Sequence, residues 1–158
     1  MGWKALSTGL ILLATGLSSA AEPSVKVINF TANWCPLCRV LDPRLTDAVD
    51  QSNGQAVLVT VDMTHLTRSG SIEQKALADS LKALTASLQA GYLWDWYGGR
   101  AGIAIIIASD NGEPLTCIST ALTTAEISDR IQESLVLATI VRPGRRRPDG
   151  TDCPPPKR

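Results

Sequence analysis

The order of strand-like and helix-like segments is the feature that most restricts the fold of this 158-residue chain. Short apolar runs rich in β-branched residues predict buried strands, and such runs occupy residues 25–30, 56–62, 103–108 and 115–119. Segments with apolar residues at helical spacing follow the first, second and fourth runs. The resulting order predicts an α/β fold with a mixed central sheet that helices cover on both faces.

The predicted helices carry start and stop signals. The first helix is expected over residues 35–49, with Pro36 acceptable in its first turn and Pro43 introducing a kink. Ser71 is the predicted N-cap of the second helix, and Gly91 suits its C-terminal end. These signals place each helix between strands, as an α/β order requires.

The connection between the second and third strands is unusually long. Between Asp62 and Ala104 lie 41 residues, whereas connections in compact domains are usually short. We therefore predict an extra helix inserted between these two strands. The segment ends in the aromatic run 92–97, whose side chains either fill the core or form a surface that recognises a partner.

The two ends of the chain differ in composition from the part between them. Residues 1–21 contain Lys4, a mostly apolar stretch and then small residues, which is the pattern of a cleaved export signal. The apolar stretch is shorter than the roughly 20 residues that span a bilayer, so cleavage is favoured over an anchor. Residues 142–158 are basic and rich in Pro, which predicts a disordered tail after a domain at residues 22–141.

Two cysteines stand where the first predicted strand gives way to the first helix. A cysteine at a helix start lies near unpaired backbone N–H groups and the positive end of the helix dipole, which favour the thiolate. Cys35 is therefore the expected nucleophile. Cys38 follows after two residues, so it can attack a mixed disulfide formed on Cys35 and resolve it.

The residues around this dithiol resemble the thioredoxin superfamily over most of the span from Val25 to about Leu137. The resemblance is carried by Trp34, Pro43, Tyr97-Gly98 and Asn111-Gly-Glu113. Asn29 and the segment Phe30-Thr-Ala-Asn-Trp-Cys35 are similar to the exported branch: the thioredoxin-like domain of the disulfide interchange protein DsbD, and the membrane-linked reductases of cytochrome c maturation. The resemblance implies an active-site environment formed by Trp34, Pro36, Leu37, Asn29, Pro43, Ile103 and Ala104.

Two positions depart from the thioredoxin pattern. Thioredoxins carry a buried aspartate where this chain has Asn29, which cannot take a proton from the resolving thiol. Asp62, Glu73 and Asp95 are the candidates for that role. Counting back from Asn111-Gly-Glu113, the usual cis-proline position beside the dithiol falls on Ala104, and the preceding peptide bond is expected to be trans.

The other potential ligands leave alternatives open. Cys117 is interpreted as a small buried hydrophobe, yet in an oxidising compartment it could pair with Cys153, or Cys153 could bridge to another chain. His65 is interpreted as a surface residue. Since these residues lack zinc-finger spacing, no metal site is expected. A copper(I) carrier using the dithiol, and a noncatalytic binding module, are the alternatives to an enzyme.

Together these observations predict a periplasmic thiol–disulfide oxidoreductase that uses no cofactor. Its partners would be protein disulfides or dithiols and a membrane-bound redox protein. The basic tail is interpreted as a solvated segment, so no nucleic acid partner is expected, and the protein is expected to be a monomer. The resemblance favours reduction of substrates, although the residues Pro36 and Leu37 between the cysteines do not fix the reduction potential.

Overall fold

The structure is a computed structural model that describes residues 22–66, 70–146 and 153–157. The predicted signal peptide, residues 1–21, lies outside the described residues. In chain order the elements are β1 (Val25–Thr31), α1 (Cys38–Asp50), β2 (Ala56–Asp62), α2 (Ile72–Ser87), α3 (Gly91–Tyr97), β3 (Ile103–Ala108), β4 (Pro114–Ile118) and α4 (Thr124–Ile140).

The strands form one mixed sheet in the order β2-β1-β3-β4. β1 pairs with β2 in parallel, and with β3 antiparallel on its other side. β3 and β4 form the antiparallel hairpin expected around Asn111-Gly112, with a register shift between Ile106 and Ile107. This confirms the predicted α/β fold, a mixed central sheet with helices on both faces and an added helix between the second and third strands.

Alternation along β3 divides the core into two layers. Ala104, Ile106 and Ala108 face a cluster formed with the buried residues of α1 and α4. Ile103, Ile105 and Ile107 face the opposite cluster, which contains Leu93 and Tyr97 of α3. All six residues of β3 are buried, so the strand that approaches the dithiol is covered by helices on both sides.

Two helix boundaries differ from prediction. α1 begins at Cys38 rather than at residue 35, because residues 35–37 form a turn ahead of the first helical residue. Gly91 begins α3 instead of closing the preceding helix, which already ends at Ser87. A reversal at Gln89, whose φ is 61°, separates the two helices. By contrast, Ser71 caps α2 as predicted and accepts a hydrogen bond from the Gln74 N–H.

The described parts of the tail contact the domain, which differs from the disorder predicted there. Arg146 is buried and its guanidinium lies 2.6 Å from the Asp110 carboxylate. Residues 153–157 pack beside β4, where Cys153 forms a disulfide with Cys117. The disulfide and these polar contacts hold a segment whose composition alone cannot bury a core. The predicted domain boundaries at residues 21 and 141 stay predictions.

Candidate active site at the Cys35–Cys38 disulfide

Cys35 and Cys38 form a disulfide at the junction of β1 and α1, with their Cα atoms 5.3 Å apart. Both are almost covered, with 4% of Cys35 and 2% of Cys38 exposed. The backbone N–H of Cys38, the first residue of α1, donates a hydrogen bond to Cys35 Sγ at 3.1 Å. Cys35 Sγ therefore occupies the place of a capping oxygen at the helix start, where an N–H group favours a sulfur anion.

Exposed apolar side chains surround the disulfide. Trp34 and Leu37 are each 53% exposed, and Val40 on the first turn of α1 is 42% exposed. Trp34 is held in place because its indole N–H donates to the Thr64 carbonyl at 3.2 Å. Pro36 lies exposed in the turn between the cysteines. This apolar rim is a suitable contact surface for a polypeptide that presents a disulfide.

Gly102 lies against the other side of the disulfide. Its N–H donates to the Phe30 carbonyl at 2.8 Å, which fixes the backbone beside the end of β1. A Cβ atom at this position would lie 3.4 Å from Cys35 Sγ and 2.8 Å from Leu37 Cβ. The residue also has a φ of 86°, which favours glycine. A side chain at position 102 would therefore clash with Leu37, and its absence lets this backbone pack against the turn that holds Cys35.

The structure does not bring Ala104 to the dithiol. Ala104 is an interior residue of β3 that faces the α1 and α4 layer, whereas Cys35 and Cys38 lie in the opposite cluster with Ile103. Counting back from the hairpin turn crosses the register shift between Ile106 and Ile107 and stops inside β3, two residues short of Gly102. Gly102 is the residue beside the sulfur, and no peptide bond among the described residues is cis.

Asn29 lies beneath the site and contacts an unexpected carboxylate. Its side-chain N–H donates to Asp42 Oδ1 at 2.9 Å, and the Thr31 hydroxyl donates to Asp42 Oδ2 at 2.6 Å. Asp42 is in α1, four residues after Cys38. The sequence did not single it out, because a spacing of four residues from Cys38 does not distinguish Asp42 from other polar residues on the surface of α1.

The three carboxylates proposed from sequence lie in different surroundings. Asp62 shares a groove of about 300 Å³ with Cys38 and Asp42, and hydrogen bonds from the Thr64 hydroxyl and N–H lower its pKa. Asp95 pairs with Lys82 at 2.9 Å on the surface. Glu73 lies in the first turn of α2, where its own backbone N–H and the Ser71 side chain lower its pKa. Only Asp62 is therefore near the dithiol.

The second disulfide lies in the same core cluster as the first. Cys117 of β4 is buried and bonded to Cys153, with Cα atoms 5.0 Å apart. The pairing left open by the sequence is thus intramolecular. Residues 153–157, which we call the strap, then run beside the loop that precedes β3: Tyr97 donates to the Pro154 carbonyl at 2.9 Å, and Arg100 donates to the Pro155 carbonyl at 2.9 Å. Burial and the nearby Arg100 charge lower the pKa of Lys157.

The aromatic run 92–97 forms α3 and contributes to the core. Tyr97 is buried, Trp94 and Trp96 are half-buried, and Trp96 packs edge-on against Tyr92 and Tyr97. The Trp96 carbonyl accepts a hydrogen bond from the Lys157 N–H at 3.1 Å. These aromatic side chains pack inside the molecule and beside the strap, as the core-filling interpretation predicts.

The fold and the buried two-cysteine disulfide at a strand-to-helix junction support thiol–disulfide oxidoreductase activity. Residues 17–76 match the family model described as Thioredoxin, a stretch that includes β1, the disulfide and β2. The chain is also similar to a solved structure, Trxlp from Edwardsiella tarda EIB202, with 16% identity, a TM-score of 0.43, and coverage of 70% of this chain and 84% of that one. No curated protein matches the chain. None of the described helices is long and apolar enough to cross a bilayer.

Proposed function

We propose that this protein is an exported thiol–disulfide oxidoreductase that reduces protein disulfides in the periplasm. The hydrogen bond from the Cys38 N–H to Cys35 Sγ is the observation that carries this proposal. In the reduced protein the same N–H group stabilises a thiolate on Cys35, which makes this sulfur the attacking one. Cys38 lies one turn deeper and acts second.

The reaction follows from these positions. The Cys35 thiolate attacks one sulfur of a substrate disulfide, a mixed disulfide forms, and the other substrate sulfur leaves as a thiolate. Cys38 then loses its proton and attacks Cys35 Sγ, which releases the second substrate sulfur. The substrate gains two electrons, and the protein is left with the Cys35–Cys38 disulfide that the structure contains.

Substrate selection rests on the surface around the sulfur. The exposed rim of Trp34, Leu37 and Val40 offers apolar contact to an extended peptide, and Gly102 places no side chain beside Cys35. A membrane-bound redox protein would return electrons to the disulfide. That partner, the periplasmic location and a role in cytochrome c maturation are supported by the resemblance of residues 29–35 to the exported branch.

Two cysteine variants test the proposal with insulin disulfides as the substrate. We expect Cys35→Ser to abolish reduction, and Cys38→Ser to accumulate a stable mixed disulfide on Cys35 that peptide mapping detects. Cys117→Ala combined with Cys153→Ala is the matched control, because it removes the other disulfide without leaving a free thiol, and it should retain the mixed-disulfide chemistry. Failure of Cys38→Ser to trap substrate, together with tight Cu(I) binding by the reduced protein, would instead favour the copper-carrier alternative.

The direction of reaction and the location need separate measurements. A reduction potential near about −270 mV, the value of thioredoxin, would support a reductant, whereas about −120 mV would make the protein an oxidant. N-terminal sequencing of protein from a periplasmic fraction should find a chain that begins near Glu22, after cleavage behind Ala20 or Ala21.

A further inference from the structure

We propose that Asp42 is the proton acceptor for Cys38 when that thiol attacks the mixed disulfide. The inference rests on the proposed function, because it concerns the second half of the reaction. It answers the question raised by Asn29, an amide that cannot take the proton.

The Asp42 carboxylate is fixed at both oxygens by donors from β1. The Asn29 amide donates to Oδ1 and the Thr31 hydroxyl donates to Oδ2. Asn29 is buried, with 2% exposed, so its amide cannot rotate freely into solvent. A half-buried carboxylate held by two donors has one orientation, which is what proton transfer to a defined atom requires.

The position of Asp42 in α1 aims it at Cys38. Residues four apart lie on one face of a helix, and side chains lean toward the helix N-terminus. The side chain of Asp42 therefore points back over the turn that begins with Cys38. Both residues line a groove of about 300 Å³ that is open to solvent, so one water molecule can connect the thiol with the carboxylate.

The site can hold Asp42 in both protonation states. When the carboxylate takes a proton on Oδ2, the Thr31 hydroxyl rotates and accepts a hydrogen bond in place of donating one. The Asn29 amide continues to donate to Oδ1. Arg39 and Asp62 are the other charged groups that line the groove. His65 does not line the groove but interacts electrostatically with Asp62.

In the proposed step, Cys38 transfers its proton through the groove to Asp42, and the Cys38 thiolate forms a bond to Cys35 Sγ. The bond between Cys35 Sγ and the substrate sulfur breaks, and that sulfur leaves with the electron pair. The leaving thiolate takes up the proton of Asp42 directly, or takes one from solvent while Asp42 releases its own to solvent, and either route restores the carboxylate.

The test uses Asp42→Asn in the full chain. Asparagine can accept from Asn29 and donate to Thr31, so the local hydrogen bonds are retained while the base is removed. The reduced protein is mixed with a small aromatic disulfide and quenched in acid, and peptide mapping follows the adduct on Cys35. We expect the adduct to persist about 100-fold longer than in the unmutated protein at pH 7. The difference should disappear above about pH 8.5, where a free cysteine ionises without help.

Two variants separate this role from general effects. Asp47→Asn removes the same charge from an exposed position of α1 and should leave the adduct lifetime unchanged. Adding formate to Asp42→Ala should shorten the lifetime, which a purely structural role would not produce. Equal lifetimes for Asp42→Asn and the unmutated protein at every pH would overturn the inference, as would an equal delay in Asp62→Asn. If the unmutated protein forms no adduct on Cys35, the proposed function itself fails.

Discussion

Two glycines with nearly the same backbone conformation have different surroundings. Gly102 has a φ of 86° and touches the dithiol, whereas Gly54 has a φ of 81° and has no atom within 4 Å of an added Cβ. Alanine at either position should cost about 1–2 kcal/mol of unfolding free energy through left-handed backbone strain. The contact with Leu37 and Cys35 is present only at Gly102.

We therefore expect Gly102→Ala to slow mixed-disulfide formation on Cys35 about tenfold or more, because a displacement near 1 Å at a reacting group is costly. Gly54→Ala should show the loss of stability without the loss of rate. Urea unfolding and single-turnover reaction with a small disulfide measure the two effects. A normal rate in Gly102→Ala would show that the backbone at this position does not set the approach to the sulfur.

The sequence predicted the reacting residues better than their surroundings. Cys35 and Cys38 could be recognised because two local signals, a strand ending and a helix starting, coincide with them. Asp42 could not be recognised, because in the sequence it resembles any polar residue of a helix. Only the fold brings the Asn29 and Thr31 donors of β1 to its carboxylate. Ala104 was assigned to the position beside the dithiol by counting residues, and such a count cannot detect the register shift in β3.

At the scale of elements, one ion pair joins the end of α4 to the β3–β4 turn. The buried Arg146 guanidinium donates to Asp110, and also donates to the Val141 carbonyl at 2.7 Å. The hydrogen bond from Arg146 is the main reason that the pKa of Asp110 lies below its ordinary 3.8. The pair therefore stabilises the fold above pH 3.8, and this contribution is lost as the pH falls through the lower, folded-state pKa.

Asp110→Asn tests this pair. At pH 7 we expect a loss of about 0.5–1 kcal/mol in unfolding free energy, a modest value because Asp110 is half-exposed. The gap between the two proteins should shrink as the pH falls below 3.8 and through the lower, folded-state pKa of Asp110, since the carboxylate then loses its charge. Urea titrations across this range measure it. A gap that stays constant at all pH values would show that the carboxylate charge is not the source.

Strands and helices were predicted correctly where the burial of their side chains matches the local sequence pattern. β3 matched its predicted residues, 103–108, because every one of its side chains is buried, as a continuous apolar run predicts. β2 was predicted to be a buried strand, yet it lies at the edge of the sheet and Val57 is 37% exposed. An apolar run does not reveal its place in the sheet, because strand order depends on contacts between distant segments.

At the scale of the whole molecule, the strap and its disulfide attach the end of the chain to the domain. Cys117 and Cys153 are 36 residues apart, and closing a loop of that size restricts the unfolded chain by about 3–4 kcal/mol. The loop encloses α4 and ends beside the backbone that precedes Gly102, so the strap couples the C-terminal segment to the edge of the active site.

Replacing both cysteines, Cys117→Ala with Cys153→Ala, should lower the unfolding free energy of the oxidised protein by about 3–4 kcal/mol. Alanine avoids leaving a hydroxyl buried at position 117, so the loss reports the crosslink. Cys153→Ala alone is the matched control, because it also opens the loop and should lose nearly as much. Mass spectrometry of the unmutated protein should find the two intramolecular disulfides and no free thiol. A disulfide from Cys153 to a second chain would contradict this prediction, because that bond would join two molecules instead of closing the loop from Cys117 to Cys153.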